Sequence, residues 1–362
     1  MSDKPLSVHY INYLSLDKIL DAQTPISKEK GGEAHEEMLF IIIHQTYELW
    51  FKQILHELNS AITLFEADRI DESSIGIVVG RMDRVNTILT TLVGQIDILE
   101  TMSSLDFLDF RDYLSPASGF QSHQFRKIEL ILGLKIENRH QFGGCPYHSQ
   151  FDGEHKKEVL ALEENNSLFS LVEKWLERIP FLKMDGFDFI KKYEQSVNEM
   201  LQKEINNIQT ADLTDQDRDL RLKMIDQNRK YFQRVLSKRE HDKAMLDGET
   251  RLSYKATMSA LLINLYRDEP ILHSPYQFLR SLVELDHKIS TWRFRHVQMV
   301  EKMLGLKIGT GGSSGQGYLK QTVDKHKFFT DLANISTLMI SRSYLPSLPK
   351  ITKDQLGYNY SK

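Results

Sequence analysis

An all-α fold, a single helical domain of long packed helices carrying a small helical insertion, is what this 362-residue sequence predicts. Three observations predict it. Apolar residues recur at steps of three and four over long windows, and period-two alternation is nearly absent. The breaks, at Ser115-Pro116, Gly143 to Pro146 and Gly309 to Gly317, are too short and too unbiased in composition to be disordered linkers.

Taken in order, Leu39, Ile43, Trp50, Ile54, Leu58 and Ile62 form the stripe of an amphipathic helix over about Glu33 to Ala67. The same spacing predicts helices from Ile75 to Leu99, Phe120 to Leu134, Lys156 to Arg178, Phe187 to Ile208 and Asp215 to Lys238. Three more follow, from Tyr254 to Tyr266, Pro275 to Leu304 and Val323 to Leu338. The Pro275 helix carries matching punctuation: Ser274 as N-cap, proline at the first helical position and Gly305 closing the far end. No internal repeat is present, so residues 1–362 read as one domain, with the insertion at about 140–255.

The composition is that of a folded globular protein, 41% hydrophobic and 27% charged. Forty-six basic against fifty acidic side chains give a net charge of −4 with no Lys/Arg-rich run, which argues against nucleic acid as a partner. Cys145 is the only cysteine and cannot form an internal disulfide or a multi-cysteine metal site. The start MSDKPLSVHY has no cationic segment followed by an apolar one, and the expected compartment is cytoplasmic. Apolar stretches such as Met38 to Ile43 fall far short of the roughly 20 residues that cross a bilayer, so no membrane span is expected.

Two Glu-x-x-His pairs, Glu284 with His287 and Glu137 with His140, raise a di-iron bundle, which needs both pairs on core-facing surfaces. The core stripe of the Pro275 helix, Phe278, Leu282, Leu285, Ile289 and Trp292, leaves Glu284 and His287 on its flanks, while Glu137 and His140 sit in polar sequence. His296 instead extends the stripe with Trp292, Met299 and Met303 and faces inward. An inward imidazole is either a hydrogen-bonded core residue or a ligand, and a neutral imidazole in an apolar wall is what a five-coordinate haem takes from its proximal side.

Phe40, His44 and Tyr47 share one helical face, an aromatic surface with a single acid/base group that reads either as core or as a pocket for an indole. Arg111 lies one turn from Phe107, so a ring and a guanidinium able to grip a carboxylate line one surface; a salt bridge to Asp112 is the structural alternative. Gly309-Thr310-Gly311-Gly312-Ser313-Ser314-Gly315 lacks a Walker lysine and is no nucleotide cradle; it reads as a lid offering a hydroxyl or as a plain connector. Glu137 to Glu154, with Cys145, His148 and nearby His155, fits no assignment.

Together these motifs resemble the tryptophan 2,3-dioxygenase family from Tyr10 to about Pro346. The resemblance rests on Asn12-Tyr13-Leu14, Leu39 to Gln53, Phe110-Arg111 with Ser115 to Ser122, Trp292-Arg293 with His296, and Gly309 to Gly315. It implies a homotetramer, a dimer of dimers, that uses ferrous haem b and O2 to open the indole ring of L-tryptophan and give N-formylkynurenine, the first step of the kynurenine pathway. It implies His296 as the iron ligand with Trp292 beside it, His44 meeting the indole nitrogen, and Phe40 and Phe107 as walls. Arg111 is implied as the carboxylate partner, Thr310 as a holder of the amino acid, and Ser118 with Gly119 as the distal pocket. Tyr13 would come from a neighbouring subunit, and Arg126 and Tyr318 would meet the haem propionates. A haem oxygenase acting on a substituted tryptophan or indole, or a haem-binding sensor without activity, are the alternatives.

Overall fold

The computed structural model describes residues 8–67, 70, 72–135, 148, 151–184, 186–305, 307, 322, 323 and 325–357. In chain order its helices are α1 (Tyr10–Leu14), α2 (Leu16–Leu20), α3 (Ile26–Glu29), α4 (His35–Glu66), α5 (Glu72–Leu99), α6 (Ser104–Arg111), α7 (His123–Leu132) and α8 (Gly153–Glu164). They continue as α9 (Leu168–Arg178), α10 (Phe189–Thr210), α11 (Asp215–Leu236), α12 (Lys238–Leu246), α13 (Tyr254–Leu265), α14 (Pro270–Leu304), α15 (Thr330–Asn334) and α16 (Lys350–Leu356). Among the described residues the strands are β1 (Lys183–Met184) and β2 (Phe187–Asp188), antiparallel with Lys183 opposite Asp188 and Met184 opposite Phe187. The expected all-α class is the observed one.

The frame is α14 laid along α5, with α4 also packed on α5. On α5, Val78, Met82, Val85, Leu89, Leu92 and Ile96 follow one another at three or four residues and are all buried, so one face of the helix is consumed by its two neighbours. Polar pins fix the register: Asn86 Nδ2 donates to the Ser281 carbonyl at 3.0 Å inside the α5–α14 contact, and Lys288 Nζ reaches Thr90 Oγ1 at 2.6 Å at its edge. Helix α7 packs on α4, and α9 on α4 and α13, which places part of the 140–255 stretch within the main core. No described helix is long and apolar enough to cross a membrane.

Several expected boundaries shift, each for a local reason. The long helix begins at Pro270, not Pro275, and Ser274 is not its cap: proline already holds the first position at 270, while Leu272 and Pro275 are buried and draw the extra turn onto the core. The helix does close at Gly305, whose N–H donates to Glu301 O with φ 58°. Lys156 to Arg178 is two helices, because the Ser167 hydroxyl accepts from Ser170 N at 3.2 Å and starts α9 afresh after Asn165-Asn166. Ser122 does the same for α7, which leaves Gly119–Gln121 as a separate 3-10 turn, and Ser237 for α12. Residues 323–338 do not form one helix. The buried Asp286 carboxylate accepts from Phe328 N at 2.9 Å and Phe329 N at 3.2 Å, withdrawing those amides from any helical ladder, and α15 starts only at Thr330. Trp50 is 37% exposed and leaves the α4 stripe.

Helix α7 ends at Gly133 in the left-handed region, φ 95°, with Gly133 N and Leu134 N both returning to the last turn. A Cβ there would stand 2.7 Å from Ser167 Oγ and 2.9 Å from Phe169 Cβ, so α7 meets the start of α9 only because this residue has no side chain. Gly133→Ala is expected to lower stability by roughly 1–3 kcal/mol through backbone strain alone, and by more for the overlap. Urea unfolding measures it, and an unchanged midpoint would contradict the close approach.

Candidate active site

Four elements converge on one end of the α4–α5–α14 frame. There Ile43, Ile96, Leu99, Met102, Phe107, Phe110, Met299 and Met303 form a buried cluster separate from the main core, with Phe40, Tyr47 and Trp292 packed partly against it. Helix α4 brings Phe40 and His44 one turn apart, ring centroids 4.1 Å from each other. Helix α6 is held by a reciprocal capping box between Ser103 and Asp106 and presents Phe107, whose ring lies 5.7 Å from Phe40. Phe110 stands edge-on to both, at 5.6 and 5.4 Å. Arg111, the last residue of α6, stands 3.9 Å from Asp112, a long contact for the salt bridge that was its structural alternative.

From α14 come Trp292 and His296, their rings 5.9 Å apart and within 6° of parallel. Trp292 also touches the rings of Tyr47, Phe51 and Phe125, so the plane against which His296 rests is fixed from three sides. The Trp292 Nε1 is buried without a hydrogen bond of normal geometry; the neighbouring Tyr47 hydroxyl donates instead to Leu92 O at 2.7 Å.

Electrostatics show how the two histidines stand. Burial, and then the neighbouring imidazole of His44, push His296 down to about 4, which keeps it neutral at physiological pH. Burial also lowers His44, only partly offset by its hydrogen bond to Phe40 and by Glu48. Each ring is crowded by protein, yet His44 retains exposed surface and His296 is half-buried. Both therefore face one cleft, from α4 and from α14, instead of being sealed in the core. His44 Nδ1 lies 2.7 Å from the Phe40 carbonyl; a carbonyl only accepts, so Nδ1 carries the proton and Nε2 keeps its lone pair. A neutral imidazole on an apolar wall, with a second imidazole near enough to act on it, is a donor set that fits a planar iron cofactor.

A 3-10 turn follows Ser118, whose hydroxyl accepts from Phe120 N and whose own N–H meets Gln121 Oε1. It leads into α7 and Arg126, whose guanidinium lies 5.0 Å from the Phe125 ring. Arg126 is anchored by Glu129, at 2.7 Å, and Glu129 is held in turn by Arg293 at 2.5 Å and His326 at 3.2 Å. Burial alone would raise the Glu129 carboxyl, but Arg126, His326 and Arg293 together bring it down to about 2. His326 is itself lowered by burial and so meets Glu129 as a neutral donor.

The structure thus brings together Phe40, His44, Phe107, Trp292 and His296, with Arg111, Ser118, Gly119 and Arg126 on the adjoining elements. It does not bring Tyr13 to them: Tyr13 is 75% exposed on α1, whose main packing partner is α2. Thr310, Tyr318 and the Gly309 to Gly315 loop lie outside the described residues, as do Glu137, His140 and Cys145. Glu284 and His287 are exposed on α14, Glu284 beside Lys288, as the flank positions required. Sequence reading missed Glu48, which accepts from Ser122 and Gln124 and ties the α7 entrance to α4, and it missed Glu129, Arg293 and His326. The only local signal for Glu129 was its i,i+3 spacing from Arg126.

The sequence profile described as Tryptophan 2,3-dioxygenase matches residues 2–339. The tryptophan 2,3-dioxygenase of Bdellovibrio bacteriovorus is 46% identical over 98% of this chain and 99% of its own length. That of Dictyostelium discoideum is 46% identical over 98% of this chain and 89% of its own, and that of Mus musculus 44% over 94% and 84%. The chain belongs to the tryptophan 2,3-dioxygenase family. Membership in that family agrees with the resemblance read from the sequence, and the match spans every element that lines the cleft.

Replacing Glu129 by glutamine leaves two buried guanidiniums without their carboxylate and is expected to cost roughly 3–5 kcal/mol at neutral pH. Because its folded pKa is depressed, the Glu129 contribution is complete above the ordinary value of 4.5 and is lost as pH falls towards about 2. The stability gap between the parent and Glu129→Gln, followed by urea unfolding, should therefore narrow below pH 4.5; a gap independent of pH would rule out a charged Glu129.

Proposed function

We propose that this chain opens the indole ring of L-tryptophan with O2 to give N-formylkynurenine, the first step of tryptophan breakdown by the kynurenine pathway, with ferrous haem b as its cofactor. The observation that carries the reading is the pair of imidazoles, His296 on α14 and His44 on α4, both lowered by burial and near enough for one to act on the other.

His296 would ligate the iron through its neutral imidazole, with Trp292 stacked on the ring to fix its plane. Arg126, anchored by Glu129, would meet a propionate, as would Tyr318, and Ser118 with Gly119 would border the oxygen side. The chemistry the haem supplies when bound is reaction of O2 with the electron-rich indole at ferrous iron. Everything else falls to side chains. Phe40 and Phe107, in contact with each other, would form the wall against which the indole lies and keep water from it. Arg111 would take the substrate carboxylate in a charge-assisted pair, with Thr310 completing the hold on the amino acid. His44 Nε2, left unprotonated by the Phe40 hydrogen bond, would accept a hydrogen bond from the indole N–H and so set which edge of the ring faces the iron. Inserting both oxygen atoms removes no proton beforehand, so His44 orients and need not act as a base.

The reading extends to assembly. Helices α1 and α2 bury no residue of their own, and Tyr10, Ile11, Tyr13, Ile19 and Leu20 stand exposed along them, which supports a homotetramer, a dimer of dimers, in which Tyr13 completes a neighbour's pocket. The lone cysteine suits the reducing cytoplasm.

Anaerobic reduction of the haem-loaded protein, followed by O2 and tryptophan, should release N-formylkynurenine, identified by mass; haem uptake without that product would sink the activity. His296→Ala should lose the native haem absorbance band. Arg111→Leu should lower kcat/KM by roughly 10–150-fold, the loss of one hydrogen bond to a charged group, and an unchanged value would remove Arg111 from the pocket. His44→Ala should cost only about 2–12-fold, a neutral bond. Since burial holds the His44 pKa below its ordinary 6.5, its acceptor persists above that pH, and kcat/KM should be flat from there into the alkaline range.

A further inference from the structure

Away from the cleft, where α7 and α8 meet, His123, His155 and Glu158 turn toward one another. Their ligand atoms all lie within 4.8 Å of each other. His123 is the first residue of α7, and His155 and Glu158 sit three apart on α8, so both project from one face of that helix. The two imidazole centroids are 4.3 Å apart, and His123 Nε2 lies 3.4 Å from Glu158 Oε2. That last distance is informative. Zinc binds nitrogen and carboxylate oxygen at about 2.0–2.2 Å, so two ligands of a tetrahedral ion stand roughly 3.3–3.6 Å apart. His123 and Glu158 already have that separation, and His155, which is exposed, has its ligand atom within 4.8 Å of both.

A second observation points the same way. Among the described residues His123 Nε2 is buried and finds no hydrogen bond, standing instead against Glu158, although an unpaired buried nitrogen is costly. Phe151, itself buried, stands edge-on to the His123 ring at 5.3 Å and keeps it turned toward Glu158. The cation now beside the carboxylate is Lys127, with Nζ 2.9 Å from Glu158 Oε2.

We propose that His123, His155 and Glu158 form a site for a divalent late transition metal of the zinc class, separate from the iron site, with a fourth position open to water. Two imidazoles and one carboxylate suit zinc and exclude the oxygen-only preference of magnesium and calcium. Bound there, the ion clips α8 to the N-terminus of α7, the helix that carries Arg126 and Glu129. Lys127 competes for the same carboxylate, and a metal displaces it from Glu158 Oε2.

The test is zinc binding to the haem-loaded, full-length protein by calorimetry, with cobalt absorbance as a report of coordination number. The expected result is one zinc per chain and an intense four-coordinate cobalt spectrum. His155→Ala, at an exposed position that folding does not need, should weaken zinc by at least about tenfold and abolish the cobalt bands. Lys127→Met should tighten it several-fold, since it removes the competing cation, and zinc should raise the melting temperature of the parent but not of His155→Ala. No zinc uptake by the parent, or zinc affinity unchanged in His155→Ala, would overturn the site; a weaker affinity in Lys127→Met would overturn the competition.

Discussion

A single buried carboxylate sets the geometry on which the cleft depends. Glu129 is 1% exposed, and it holds Arg126 of its own helix, Arg293 of α14 and His326 near the chain's end within 3.2 Å. Removing ions of this kind from water costs several kcal/mol each, and that cost is offset only when every partner is in place. Arg293 Nη1 also donates to the His326 carbonyl at 2.6 Å, so the same guanidinium fixes backbone as well as charge. The helix that carries Arg126 is thus locked against the helix that carries Trp292 and His296. Neither can slide without leaving a charge uncompensated.

The walls of the cleft follow a different rule. Phe40, Phe107, Phe110, Met299 and Met303 supply no charge and hold the local dielectric low. That environment, more than any partner, keeps His296 neutral, and a neutral nitrogen is what a metal requires. The ionic lock and the apolar walls are therefore complementary. Glu129 is charged because cations surround it, His296 is uncharged because burial disfavours its charge, and Arg293, three residues before His296 on α14, is the link from one to the other.

How much of this was legible in sequence depended on whether a signal was local. The inward direction of His296 could be read from its step of four after Trp292, and the shared face of Phe40 and His44 from the same period. The class of fold followed from many such windows. What could not be read were contacts between distant segments: Glu129 meets Arg293 at a separation of 164 residues and His326 at 197, and no pattern near any of them announces the others. The start of α14 failed for a related reason. Ser274-Pro275 has the chemistry of a helix start, but burial of Leu272 and Pro275 carries the helix back to a second proline at 270. Likewise Asp286, from α14, reaches across to Phe328 N and Phe329 N and overrides a helical pattern that the local sequence otherwise supports. His155 and Glu158 had a readable spacing, yet the residue that makes them a cluster, His123, lies on another helix.

The two imidazoles are positioned by unlike means. His296 rests on the Trp292 ring within 6° of parallel, a contact that fixes its plane without committing a nitrogen to a hydrogen bond. His44 commits Nδ1 to the carbonyl of Phe40, one turn back in its own helix. That bond fixes the tautomer with no second element involved, and it anchors the ring to the residue that also walls the cleft through contact with Phe107. A movement of Phe40 would therefore alter the wall and the acceptor together. Shape and hydrogen bonding on this side are thus coupled through one residue of α4.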